Sequence, residues 1–405
     1  MRVAILASPL PLFPVTTVGS WPRPAAVLDA QRELRRGRIT RAEFDSLTDE
    51  AVATLLTLQE RIGCDIVTDG ELRRDNFYSF VARKFGGVRL MTLAEMLDVV
   101  EDKAGFELLL QTLDVPAYAI SSPTCVGRLE RLETLALEDL RFARRHTTKA
   151  IKITLPGPYL LTRAMFVPEL TRPSYPTKEA LAEDIVALLR EELVALVAEG
   201  VEFVQFDEPV LSELAFAPGR TRTFMCAALA ARNDPAEELE FAVSLVNRVV
   251  EGVTGTRIGV HVCRGNWSRD ETTLLRGSYE PLAPYLERLR VGQLVLEYAT
   301  ERAGALVRFP GKELGLGVVN PRNDMVESSE EIQRAVGDAL DVYAPEQIFL
   351  NPDCGFATFS NRPMNGADVA EAKLRVLVEA AAMLRRTVTL RRSSGRPANQ
   401  PNHST

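Results

Sequence analysis

Short apolar runs alternate with amphipathic stretches along most of this chain. The runs are Pro14–Val18, Asp65–Thr68, Ala150–Thr154, Val201–Phe206, Arg257–Val260, Gln293–Leu296, Leu314–Val319 and Gln347–Leu350. Each contains Val, Ile or Leu, and most are followed closely by Gly, Pro, Asp or Asn. Near-continuous apolar strands separated by helices predict a parallel sheet covered on both faces. Eight such units predict a (β/α)₈ barrel, of α/β class. The intervening segments agree. Thr177–Glu199 places Leu181, Ile185, Leu188, Leu189, Leu193, Val194 and Val197 at helical spacing and stops at Gly200. Gly366–Arg386 repeats the pattern and is expected to close the barrel.

Three stretches fall outside the alternation. Residues 1–14 form an N-terminal extension, and the barrel is expected to span 15–390. Residues 73–145 separate the second and third strands and are expected to be an insertion, with a hairpin over Val115–Val126 and helix over Met91–Leu113. The polar tail 391–405 carries two prolines and is expected to be disordered.

Composition narrows the class. The 405 residues are 46% hydrophobic and 25% charged, ordinary for a globular protein. A net charge of -7 gives no general attraction to nucleic acid or an anionic membrane. No apolar run reaches membrane-spanning length, and Val3–Leu6 is too short for a secretory signal. Five widely spaced cysteines, 64, 125, 226, 263 and 354, point away from a disulfide framework and toward a reducing, cytoplasmic setting. Nothing in the pattern sets the oligomeric state, so a homo-oligomer stays open.

In a (β/α)₈ barrel the chemistry lies where strands end. The fifth run leads into His261-Val262-Cys263, the sixth ends at Glu297, and Cys354 follows the eighth. Of three histidines only His261 ends a strand-like run; His146 lies in a basic stretch and His403 in the tail. One imidazole, two thiols and a carboxylate suit zinc. The alternative is ordinary: residues 261 and 263 share a face of any strand, and a strand-end Cys is often a small buried hydrophobe. A closed structural zinc site is a further alternative, but ligands spread from 261 to 354 over three strands favour a catalytic one. Gly19-Ser20, Asp69-Gly70-Glu71, Pro156-Gly157-Pro158 and Asp207-Glu208-Pro209 end other strands and would face the same bowl, although Asp and Gly also follow strands simply as turn residues.

These motifs, with Thr17-Val18-Gly19-Ser20, Phe206-Asp207-Glu208-Pro209 and Asn351-Pro352-Asp353-Cys354-Gly355, occur in an order that resembles the catalytic domain of cobalamin-independent methionine synthase, over roughly Val15–Arg386. The resemblance implies a zinc-dependent methyltransferase that moves a methyl group to homocysteine and forms methionine, in methionine biosynthesis. It implies zinc on His261, Cys263, Glu297 and Cys354, with His261, Cys263 and Cys354 central to catalysis. It also implies homocysteine held at its carboxylate by Gly19 and Ser20 and at its ammonium by Glu71 and Asp207. The expected donor is 5-methyltetrahydrofolate or a related methyl carrier. Full-length members carry a second, N-terminal barrel-like half. Only about a dozen residues precede the first strand here, so the shorter single-barrel relatives are the nearer comparison.

One segment departs from the family pattern. After the seventh strand the family places an Asp and a His, the His a candidate general acid; here Asn320 and Arg322 stand about there. Arginine is no proton donor at neutral pH. Single-barrel relatives also include epoxyalkane:coenzyme M transferases, whose thiol carries a sulfonate and no amine. Glu71 and Asp207 favour an amino-acid thiol, whereas Arg73, Arg74 and Arg264 offer anion partners unless they serve as salt bridges.

Overall fold

The computed structural model describes residues 10–99, 103, 121–216 and 234–393. Its strands are β1 (Ile66–Val67), β2 (Phe85–Thr92), β3 (Ser121–Arg131), β4 (Ala150–Pro156), β5 (Phe203–Asp207), β6 (Arg257–Val262), β7 (Gln293–Glu297), β8 (Glu313–Val319) and β9 (Ile348–Pro352). Seven form one parallel sheet in the order β1-β4-β5-β6-β7-β8-β9. The segment around Val15 closes it. Val15 bridges Leu350 of β9 in parallel, Leu350 N–H donates to Pro14 O at 2.9 Å, and Ile66 N–H donates to Val15 O at 3.2 Å. All eight predicted staves are therefore present, the first held by a single bridge.

Local signals set the helices between them. Thr40 and Glu43 form a capping box on Arg41–Ile62, which stops at Gly63 in the left-handed region (φ 107°). Thr177 caps Lys178–Ala198, and Asp234 caps Pro235–Val250. The helices bury their apolar stripes on the sheet in one continuous core. Ile66, Phe203 and Phe349 fill one end of the barrel. Higher up, the interior turns polar, with Lys152, Thr154 and Gln205 buried. Among the described residues no helix is long and apolar enough to cross a membrane.

The insertion differs in detail from expectation. Its β2 and β3 pair antiparallel, with a bulge between Gly86 and Val88. The partner of β3 thus lies upstream at 85–92, where Met91 and Thr92 are strand, and it leads into a short helix at Leu93–Leu97. Residues 100–102 and 104–120, which hold the rest of the expected helix and hairpin, lie outside the described residues. The last helix, Ala367–Ser393, runs three residues into the expected tail. The remainder of that tail, residues 1–9 and Cys226 also lie outside the described residues.

Candidate metal centre and substrate cleft

Parallel register assembles the site. Pro156 pairs with Asp207, and Asp207 with His261, so three neighbouring strands end at one level. Cys263 follows β6, and Cys354 follows β9 across the barrel mouth. The ligand atoms of His261, Cys263 and Cys354 lie within 4.8 Å of one another, and all three residues are buried. His261 Nδ1 lies 2.9 Å from Asp207 Oδ1, while its Nε2 has only a long contact, 3.4 Å, to Asp353 O. A carboxylate on Nδ1 fixes the ring and turns Nε2 into the available donor, the usual support for a metal-binding histidine.

Charge in the trio is shared. Burial works against an imidazolium, but Asp207 and the neighbouring Cys263 sulfur outweigh it and raise His261 to about 9. A hydrogen bond from Cys354 and the His261 charge bring Cys263 down to about 7 despite burial. Cys354 is pushed up, first by that same hydrogen bond and then by burial. The shared hydrogen bond thus favours the thiolate on Cys263 over Cys354. The donor set fits a thiophilic divalent ion: one imidazole, two sulfurs, mutual contact and a dry setting.

Glu297 does not join this trio. Its carboxylate accepts from Arg264 N–H, pairs with the Arg302 guanidinium, and meets Arg322 Nη1 at 2.8 Å. Those cations hold its pKa down against burial. Arg322, fully buried, also donates to Asp353 Oδ2 at 2.8 Å and to Glu271 Oε1 at 3.2 Å. Asn320 donates to the same Glu271 oxygen at 2.7 Å. Arg322 is therefore a strut among three carboxylates, which hold its pKa above the ordinary arginine value.

Beside the trio opens a cleft. Ser20, Glu71 and Asp207 line it, with His261, Cys263 and Cys354. Glu71 Oε1 accepts from Thr154 Oγ1 at 2.8 Å, whereas buried Oε2 has no partner among the described residues. Burial raises the Glu71 pKa, opposed by Arg74. Gly19 makes room: a Cβ there would sit 2.4 Å from Glu71 Oε1. Gly355 does the same for Ser20, whose Oγ lies 2.0 Å from the place of an added Cβ. Asp207 is busier than its sequence context suggested, since Oδ1 also accepts from Gln205 Nε2 at 2.8 Å. Glu208 lies apart, accepting from Tyr159 N–H and Leu160 N–H at the start of a helix.

The arginines considered as anion partners are engaged elsewhere. Arg73 pairs with Asp49 and Asp139. Arg74 donates to Thr154 O at 3.1 Å and stacks on Phe80. Arg264 donates to the carbonyls of Gly277, Glu297 and Ala303 and lies 3.8 Å over the Tyr279 ring. None of the three lines the cleft. Its remaining walls include Asn266, which sequence reasoning groups with Arg264 and Gly265 as a segment that could bind an anion, and Phe77, Tyr78, Trp267 and Phe359, which it did not single out. The signal available was proximity: Trp267 follows Cys263 within four residues.

Barrel and trio together define a (β/α)₈ enzyme with a His–Cys–Cys metal group at the strand ends. Residues 13–383 match the family described as "Cobalamin-independent synthase, Catalytic domain". The chain belongs to that family, whose members are methyltransferases. It is 29% identical over 381 residues to methionine synthase of Pyrococcus abyssi, covering 93% of this chain and 94% of that one. Methionine synthase of Saccharolobus solfataricus is 27% identical over 383 residues, covering 93% and 96%. Among solved structures, a B12-independent methionine synthase from Shewanella sp. W3-18-1 in complex with selenomethionine shares the fold at a TM-score of 0.69 and 23% identity, covering 94% of this chain and 99% of that one.

Proposed function

We propose that this protein is a zinc-dependent methyltransferase that methylates the thiol of homocysteine to give methionine, with 5-methyltetrahydrofolate or a related methyl carrier as donor. The observation that carries this is the meeting of one imidazole and two cysteine sulfurs with two carboxylates at one cleft. His261, Cys263 and Cys354 would hold the metal, with Glu297 a neighbouring carboxylate braced by arginines. When bound there, zinc would lower the pKa of an incoming thiol so that it is thiolate near neutral pH. Glu71 Oε2 and the outer oxygen of Asp207 would take the substrate ammonium in charge-assisted hydrogen bonds. The Gly19–Ser20 segment would take its carboxylate. Asp207 would serve twice, orienting His261 through Oδ1 and the substrate through its other oxygen. Methyl transfer then forms a sulfur–carbon bond as the bond from carbon to the carrier breaks, and the carrier keeps the electron pair.

The epoxyalkane:coenzyme M alternative is disfavoured because among the described residues no arginine stands on the cleft wall to meet a sulfonate, while two carboxylates do. Four buried thiols, at 64, 125, 263 and 354, support placing the reaction in the cytoplasm. The test offers zinc-loaded protein either homocysteine or coenzyme M, each with 5-methyltetrahydrofolate, methylcobalamin or an epoxide, and identifies the thioether. Methionine is expected. A coenzyme M thioether formed in its place would overturn the assignment.

A further inference from the structure

Asn266 bridges the two cysteine-bearing segments. Its Nδ2 donates to Gly355 O at 2.8 Å and to Thr358 Oγ1 at 2.9 Å. A carbonyl only accepts, so these bonds fix which end of the amide is nitrogen. Its Oδ1 is then an acceptor, buried in the cleft wall, with no donor among the described residues; the residue is 4% exposed. A buried acceptor without a donor is costly, and this one lies on the cleft wall, where an entering group can supply the donor.

The entering group is not the thiol substrate. The homocysteine ammonium already has Glu71 and Asp207, and its sulfur and carboxylate offer no donor to an amide oxygen. The wall around Asn266 points to a larger molecule. Phe77, Tyr78, Trp267 and Phe359 give that wall an aromatic character suited to a flat apolar body rather than to an aliphatic amino-acid chain. Trp267 is set by its backbone: Gly265 lies at φ 101°, and a Cβ there would fall 2.1 Å from the indole, which folds back over it.

We infer that Asn266 Oδ1 is a specificity-determining acceptor for the methyl carrier, taking a hydrogen bond from a ring or amide N–H of a carrier with a broad apolar or aromatic body. The inference rests on the proposed methyl transfer to homocysteine. Two sources offer that chemistry, a pterin-type ring N–H and the amide side chains of a corrinoid, and the test separates them.

Zinc-loaded full-length protein is assayed with homocysteine and, in turn, 5-methyltetrahydrofolate, methylcobalamin and methyl iodide, the last having no hydrogen-bond donor. In Asn266→Ala, kcat/KM for whichever carrier the wild type uses is expected to fall by roughly tenfold or more, the weight of one hydrogen bond to a buried acceptor. The enzymatic rate with methyl iodide, the KM for homocysteine and the zinc content are expected to hold within about twofold of wild type, by the same reasoning. Asn266→Asp, which keeps an acceptor oxygen but loses the Nδ2 donors, is expected to use the carrier better than Asn266→Ala. Equal losses with carrier and methyl iodide, a loss of zinc, no loss in Asn266→Ala, or use of neither carrier by the wild type would each overturn the inference. Failure of the wild type to methylate homocysteine even with methyl iodide would instead strike at the proposed function.

Discussion

Gly19→Ala adds one methyl group where the substrate ammonium is expected to be held. Gly19 does not have the positive φ that would strain an alanine backbone, so the effect is steric. The new Cβ would lie 2.4 Å from Glu71 Oε1 and 3.0 Å from Thr154 Cγ2. Ordinary contact begins near 3.4 Å, so the Glu71 carboxylate has to retreat by about 1 Å. Its backbone offers little slack, since Glu71 is held at φ 54° with its N–H on Asp69. The retreat breaks the 2.8 Å bond from Thr154 and withdraws Oε2 from the cleft. Losing one hydrogen bond to a charged partner costs about 1.5–3 kcal/mol, or roughly 10- to 100-fold in Kd. Titration calorimetry of homocysteine into the zinc-loaded variant reads this directly, with metal content measured in parallel because Gly19 touches no ligand. A homocysteine Kd unchanged from wild type, in a variant that still binds zinc, would refute the placement of the ammonium at Glu71.

Three further outcomes are expected. Cys263→Ser and Cys354→Ser should each lose zinc and methyl transfer together, read by metal analysis after desalting; wild-type zinc content in both would remove these residues from the metal site. Arg322→Met should lower stability by about 3 kcal/mol, because it leaves Glu297 and Asp353 buried with less compensating charge, and an unchanged denaturation midpoint would count against the strut. Lys152→Met should change how stability depends on pH. Burial lowers Lys152 to about 7, although Asp207 and Glu71 pull it back up. Between about pH 7 and its ordinary value of 10.5 the unfolded chain holds a proton that the folded chain lacks, so this group makes stability rise with pH across that window. The wild type should therefore gain on the methionine variant between pH 7 and 10 in urea titrations, and a constant difference would contradict the shift.

The barrel was legible because each stave is a short apolar run bounded by turn residues, a signal that survives without tertiary context. Even the weakest stave, at Val15, carried it. The insertion was less legible. β2, Phe85–Thr92, contains two glycines at its bulge and mixes Arg with apolar residues, so period two is blurred, and its partner lies about 30 residues downstream. At the site, His261, Cys263 and Cys354 could be proposed from strand ends because position along a strand decides which residues reach the barrel mouth. What Glu297 does there was not legible. Its neighbours Arg264, Arg302 and Arg322 come from three separate loops, and only the folded chain shows them converging on one carboxylate.

That convergence divides the barrel mouth into two unlike halves. On the side of β7, β8 and β9, Glu297, Arg322, Asp353 and Glu271 form a closed lattice of opposite charges, and none of them lines the cleft. On the other side, Ser20, Glu71, Asp207 and Asn266 line the cleft. The family's candidate proton donor would stand on the closed side, where Arg322 keeps its proton. A leaving group therefore draws no proton from that position, and discrimination among methyl carriers falls to the open wall. There, on the proposed reading, an amide oxygen beside aromatic rings would read the shape and hydrogen-bonding edge of the carrier rather than its basicity.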